Sequence, residues 1–126
     1  MPSVEFTLSV DHRGWARIQV QPPYNLFGDF LTSVLSPLRM RDLRTLLSAY
    51  RENPKEYAYY AHDYTELEFE PFNGMARVMI DHPDEFREGE MPMVEFVPLA
   101  EQWLAFAEAH PITFPNMRRT QYPADG

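Results

Sequence analysis

Between Glu56 and His82 the chain reads EYAYYAHDYTELEFEPFNGMARVMIDH, and its polar and apolar positions alternate in three short runs. Alternation with a period of two marks half-buried strands, and short runs joined by turn residues form an antiparallel meander. Asn73-Gly74 falls between the second and third runs. That dipeptide suits a two-residue mirror-image turn, which needs positive φ at both positions. A turn centred there pairs Phe72 with Met75. It sets Phe69 against Val78 and Leu67 against Ile80 on one face, and Glu70 against Arg77 on the other. The same alternation opens the chain: Val4, Phe6, Leu8 and Val10 share one side of a first strand. After the turn Asp11-His12-Arg13-Gly14, a second strand from Trp15 to Gln21 puts Ala16, Ile18 and Val20 on one side, Arg17 and Gln19 on the other.

Elsewhere the period lengthens to that of a helix. Ser36-Pro37 is a cap followed by proline at the first helical position, where its missing N–H costs nothing. Leu43, Leu46, Leu47 and Tyr50 then make a core stripe that ends before Asn53-Pro54. Arg41, Arg44 and Arg51 stand opposite that stripe with no acid four residues away, so solvent or carboxylates elsewhere in the fold are expected to meet them. Phe30, Leu31, Val34 and Leu35 are spaced for a short helix, although Gly28 and the following proline oppose one. His82 to Pro92 reads as an acidic loop, Met93 to Val97 as a last strand, and Pro98 as the start of a helix carrying Leu99, Trp103, Phe106 and Ala107 and closing at His110-Pro111. The predicted order is ββαββββα, an α+β two-layer sandwich: a mainly antiparallel sheet of five to six strands with two helices on one face. One domain over residues 1–126 is expected, with a loose proline-rich tail from about 112.

Charge narrows the partners. Eleven basic against nineteen acidic residues leave a formal charge of −8, which repels nucleic acid and attracts basic proteins. There are no cysteines, so a disulfide framework, a zinc ribbon and a thiol nucleophile are excluded. No basic segment precedes an apolar run and no eighteen apolar residues occur in succession, so no membrane partner and a cytoplasmic location are expected. A glycine-flanked serine, a phosphate loop and a dinucleotide fingerprint are all missing from a chain with five glycines. The reading therefore leans away from catalysis and expects no cofactor.

Two groups of residues remain as candidate sites. Helices covering one sheet face leave the other open, and the alternation assigns Tyr57, Tyr59, Glu66, Glu68, Glu70, Arg77, Met79 and Asp81 to it, joined by Arg17 and Gln19. Tyrosines among carboxylates suit a protein interface with a polar rim. The acidic loop, with Asp84, Glu85, Glu88 and Glu90, extends the same character. The second group is His62, Asp63, Asp81 and His82 at one end of the sheet. A two-residue turn at Asp63-Tyr64 sets His62, Thr65 and His82 in one row, and Glu66 opposite Asp81. Asp and His are common in turns and no spacing matches a known metal-ligand pattern, so no metal is expected, and these four residues are the ones that would hold one. Fraying or a bridging arginine accounts for Glu66 and Asp81 more simply than a shared proton.

GWARIQV in the second strand, the helical text MRDLRTLLSAY, the EF-rich meander and a closing FAEAH helix resemble, over about Trp15 to His110, the small acidic proteins that bacteria encode beside polymorphic toxins, the immunity type, and related uncharacterised bacterial families. The resemblance implies a stoichiometric inhibitor that occludes a toxin, often a basic nuclease, through an acidic or aromatic surface. Three functions follow as expectations: a non-catalytic domain binding a basic protein, a small metal- or ligand-binding enzyme using the His/Asp group, or a self-associating structural module.

Overall fold

The structure, a computed structural model, describes residues 4–112; the expected C-terminal tail falls largely outside them. Within those residues the order is β1 (Phe6–Val10), β2 (Ala16–Val20), α1 (Asn25–Thr32), α2 (Pro37–Glu52), β3 (Ala58–His62), β4 (Thr65–Glu70), β5 (Met75–His82), β6 (Glu85–Pro92) and α3 (Met93–Ala109). The α+β class holds, but the single sheet with two helices is corrected. Three helices accompany two antiparallel sheets, the hairpin β1-β2 and the meander β3-β4-β5-β6.

The hairpin stays separate because α1 occupies the outer edge of β2. The Thr32 hydroxyl accepts from the Ile18 N–H at 3.3 Å and donates to the Ile18 carbonyl at 3.1 Å, filling the place of a neighbouring strand. Gly28 permits the approach, since a Cβ there would stand 3.0 Å from the Val20 nitrogen. The glycine that argued against a helix is what lets this helix sit where it does.

Pairing in the meander differs from the expected register by two residues. Glu70 faces Met75, Phe69 faces Ala76, Leu67 faces Val78 and Glu68 faces Arg77. Only Gly74 takes positive φ at this turn, +72°; Asn73 instead accepts the Met75 N–H on its side-chain oxygen, so Pro71 to Gly74 form a longer connection. Because the shift is even, every strand residue keeps its predicted face. Phe72 leaves the ladder and is 98% exposed at the hairpin tip.

Two further expectations are overturned. The acidic loop is strand β6: Arg87, Gly89 and Met91 face inward, where Arg87 reaches Asp29 of α1 at 2.9 Å and Gly89 lies beneath Leu26. Met93 to Val97 is helix, with Pro98 inside it. A strand would place Phe96 on the side opposite Met93 and Val97, whereas the helix buries all three. Each such side chain stabilises by about 1.5–3 kcal/mol, which together exceeds the cost of about 3 kcal/mol for an interior proline.

The core lies between the helices and the inner face of the meander. Phe96 packs its ring 5.5 Å from Phe27 and 5.7 Å from Phe69, and Trp103, fully buried, donates its indole N–H to the Val34 carbonyl at 3.1 Å. The arginines of α2 find carboxylates elsewhere, as expected: Arg44 pairs with Glu108 and Arg51 with Glu101, both on α3. Arg41 lies 3.4 Å from the carboxylate of its neighbour Asp42.

Candidate partner-binding face

Alternation along β3 to β6 sends every second side chain away from the helices. One row crosses all four strands, Tyr59, Glu68, Arg77 and Glu90, and its neighbour runs Ala61, Glu66, Met79 and Glu88. Arg77 is the lone cation among these outward-facing residues, and it is already engaged. Its guanidinium donates to Glu88 Oε2 at 2.6 and 3.2 Å and lies 3.6 Å from Glu68 Oε1. The Tyr57 phenol donates to Glu68 Oε2 at 2.6 Å, so Tyr57, just before β3, Glu68, Arg77 and Glu88 form a continuous chain of contacts across the sheet to β6.

The electrostatics follow from that chain. The bond to Glu68, aided by partial burial, pushes the Tyr57 hydroxyl up to about 12. The Tyr59 hydroxyl is raised by its bond to Glu66, and the Arg77 guanidinium is raised by its bond to Glu88. A phenol held by a carboxylate stays neutral and keeps its ring in one orientation. Tyr57 and Tyr59 nevertheless leave 52% of their surface open to solvent.

The structure therefore brings Tyr57, Tyr59, Glu66, Glu68 and Glu88 onto one surface, with Glu90 beside them. Glu70 stands at its margin, accepting the Phe72 N–H at 3.0 Å and so helping to close the hairpin. Asp84 and Glu85 lie at the opposite end, in the β5-β6 turn and the first position of β6; Asp84 donates its N–H to His82 Nδ1 at 3.4 Å, and Glu85 is 3.9 Å from Arg87. Arg17 and Gln19 do not join this face, since they belong to the separate hairpin.

The His/Asp group is dispersed. His62 does face Thr65 across the Asp63-Tyr64 turn, but the next residue in the row is Ile80, not His82. Glu66 faces Met79, so no like-charged pair with Asp81 forms. His82 lies against the Tyr64 ring at 5.6 Å, and Asp63 pairs with Arg39 of α2. Among the described residues no group of three or more His, Asp or Glu side chains is placed to hold a metal ion.

His62 takes another place in the fold. Its Nε2 lies 3.0 Å from Ser33 Oγ and its Nδ1 3.0 Å from the Tyr60 hydroxyl, with its ring stacked on Phe30 at 6.0 Å. Ser33 spends its proton on the Phe30 carbonyl at 2.6 Å. Its oxygen must then accept from Nε2–H, which leaves Nδ1 to accept from Tyr60 and assigns the neutral Nε2–H tautomer. Burial, with the Arg39 charge nearby, lowers the His62 pKa from 6.5, while burial pushes the Tyr60 hydroxyl up to about 12. The clue in the sequence was the spacing of Tyr60 and His62, two apart on a strand and hence on one face.

A depression of about 660 Å³ runs along β2 beside α1 and is lined by Arg17, Gln19, Asn25, Asp29 and Thr32 among others. Asp29 is committed to Arg87 and Thr32 to Ile18. Among the described residues no helix is long and apolar enough to cross a membrane. No protein-family model, curated protein or solved structure matches the chain.

Proposed function

We propose that this protein is a non-catalytic binding domain of the immunity or inhibitor type, which captures a basic partner protein on the outer face of its four-stranded sheet. The observation that carries this reading is the chain from Tyr57 through Glu68 and Arg77 to Glu88. It holds the half-exposed Tyr57 and the carboxylates of Glu68 and Glu88 in place before any partner arrives, and Glu66 holds Tyr59 beside them. Preorganised aromatic groups lose little entropy on binding and supply affinity, while the carboxylates speed encounter with a cationic surface. The formal charge of −8 acts in the same direction.

Affinity capture from cells of the source organism at two salt concentrations tests the reading. A basic protein is expected, released as salt rises. Glu66→Lys with Glu68→Lys is expected to weaken that complex by about a hundredfold or more, since several opposed charges become like charges, with the melting curve still cooperative. Unchanged binding by the double variant removes this face from consideration.

A further inference from the structure

The outer edge of β6 offers a second kind of recognition, one that rests on the reading above and specifies the partner's shape. Gly74 accepts the Met93 N–H at 2.9 Å, and these two residues are register partners just beyond the ends of β5 and β6. In an antiparallel ladder, hydrogen-bonded and non-bonded pairs alternate. Counting from Gly74 and Met93, the bonded pairs are Ala76 with Met91, Val78 with Gly89, Ile80 with Arg87 and His82 with Glu85. Phe86, Glu88 and Glu90 therefore turn their N–H and C=O groups away from β5.

Nothing among the described residues pairs with that edge. β6 ends the strand order, Phe86, Glu88 and Glu90 are exposed, and no backbone or side-chain hydrogen bond engages their backbone groups. The side chains of the same three residues project onto the acidic face. A shallow depression of about 360 Å³ beside them is lined by Arg77, Glu88, Gly89 and Glu90. An open edge is a template for another strand, and like charges opposite one another oppose pairing while unlike charges favour it. A second β6 from another copy would bring Glu88 and Glu90 against carboxylates. A strand with basic side chains at alternate positions would bring opposite charges to both.

We infer that the partner is held by strand addition: an extended basic segment pairs with β6 through the backbone of Phe86, Glu88 and Glu90, with alternate lysines or arginines set against Glu88 and Glu90. Pairing of this kind takes affinity from main-chain hydrogen bonds and specificity from every second side chain. The sheet would then carry a fifth strand whose outward side chains continue the acidic, tyrosine-bearing face.

The probe is a short synthetic peptide in which lysine and valine alternate, titrated into the isotope-labelled protein. The amides of Phe86, Glu88 and Glu90 are expected to shift most. A peptide of the same sequence with N-methyl groups on alternate residues, unable to donate to the edge, is expected to bind about fivefold more weakly for each hydrogen bond lost. Glu88→Pro removes an N–H that points outward, leaves the β5-β6 bonds intact, and is expected to weaken the unmethylated peptide similarly. Should the proline variant fail to fold, the methylated peptide still decides. Equal binding of both peptides overturns strand addition, as does the absence of binding. Shifts confined to Tyr59, Glu66 and Glu68 also overturn it while supporting the acidic-face reading. Shifts at the β6 amides that depend on protein concentration without peptide overturn it in favour of a second copy.

Discussion

The same four strands build two faces of opposite chemistry, and their tyrosines show how differently each works. Tyr60 points inward, and burial suppresses ionisation of its hydroxyl, which bonds His62. Tyr57 points outward, and there a carboxylate suppresses ionisation. Both hydroxyls are pushed up to about 12 by different causes. The inner group is held by exclusion of water; the outer group is held by a partner that water still reaches. Inner contacts should thus carry stability, and outer contacts should carry recognition.

The largest expected effect is on the inner face. Phe69 is fully buried between the rings of Tyr50 and Phe96, so Phe69→Ala should lower the unfolding free energy by about 3–5 kcal/mol, measured by denaturant titration. A loss below about 1 kcal/mol would show that this face is not the stabilising one.

His62 ties the inner face to the end of α1 through Ser33 and Tyr60. Its folded pKa is lowered, so below 6.5 the unfolded chain binds more protons than the folded one. Stability should be full above 6.5 and fall as pH drops from there through the folded pKa. His62→Phe should cost about 1–3 kcal/mol at neutral pH, because the Tyr60 hydroxyl loses its acceptor, and should flatten the part of the pH dependence that His62 contributes. Melting curves between pH 5 and pH 8 check both, and an unaltered slope would assign the titration to another group.

The smallest effect belongs to the outer face. Glu68→Gln leaves Tyr57 facing a neutral amide, so the Tyr57 hydroxyl should fall back toward 10, read by ultraviolet titration of the phenols. The melting temperature should move by no more than about 2 °C, because the amide oxygen can still accept from the Tyr57 hydroxyl and the volume is unchanged. A large destabilisation would mean that the contacts from Tyr57 to Glu88 hold the fold together rather than display a surface.

The amino-acid order determined which side of β3, β4 and β5 turns inward, because alternation needs no knowledge of the partner strand. It also determined the α2 helix, through the Ser36-Pro37 cap and the leucine stripe. It could not determine the register: whether Asn73 takes positive φ or bonds the Met75 N–H with its side chain is a contest of small local energies, settled with the neighbouring strands in place. Nor could it reveal β6, whose inward residues Arg87 and Gly89 carry no apolar signal and make sense only once Asp29 and Leu26 of α1 lie above them. The helical start of α3 was present in the spacing of Met93, Phe96 and Val97, yet Pro98 pointed the other way until burial outweighed it. Tertiary structure alone decided that His62 and His82 part, and that Tyr57, Glu68, Arg77 and Glu88 meet. Such contacts join residues far apart in the chain, and only the packing of whole elements sets their distances.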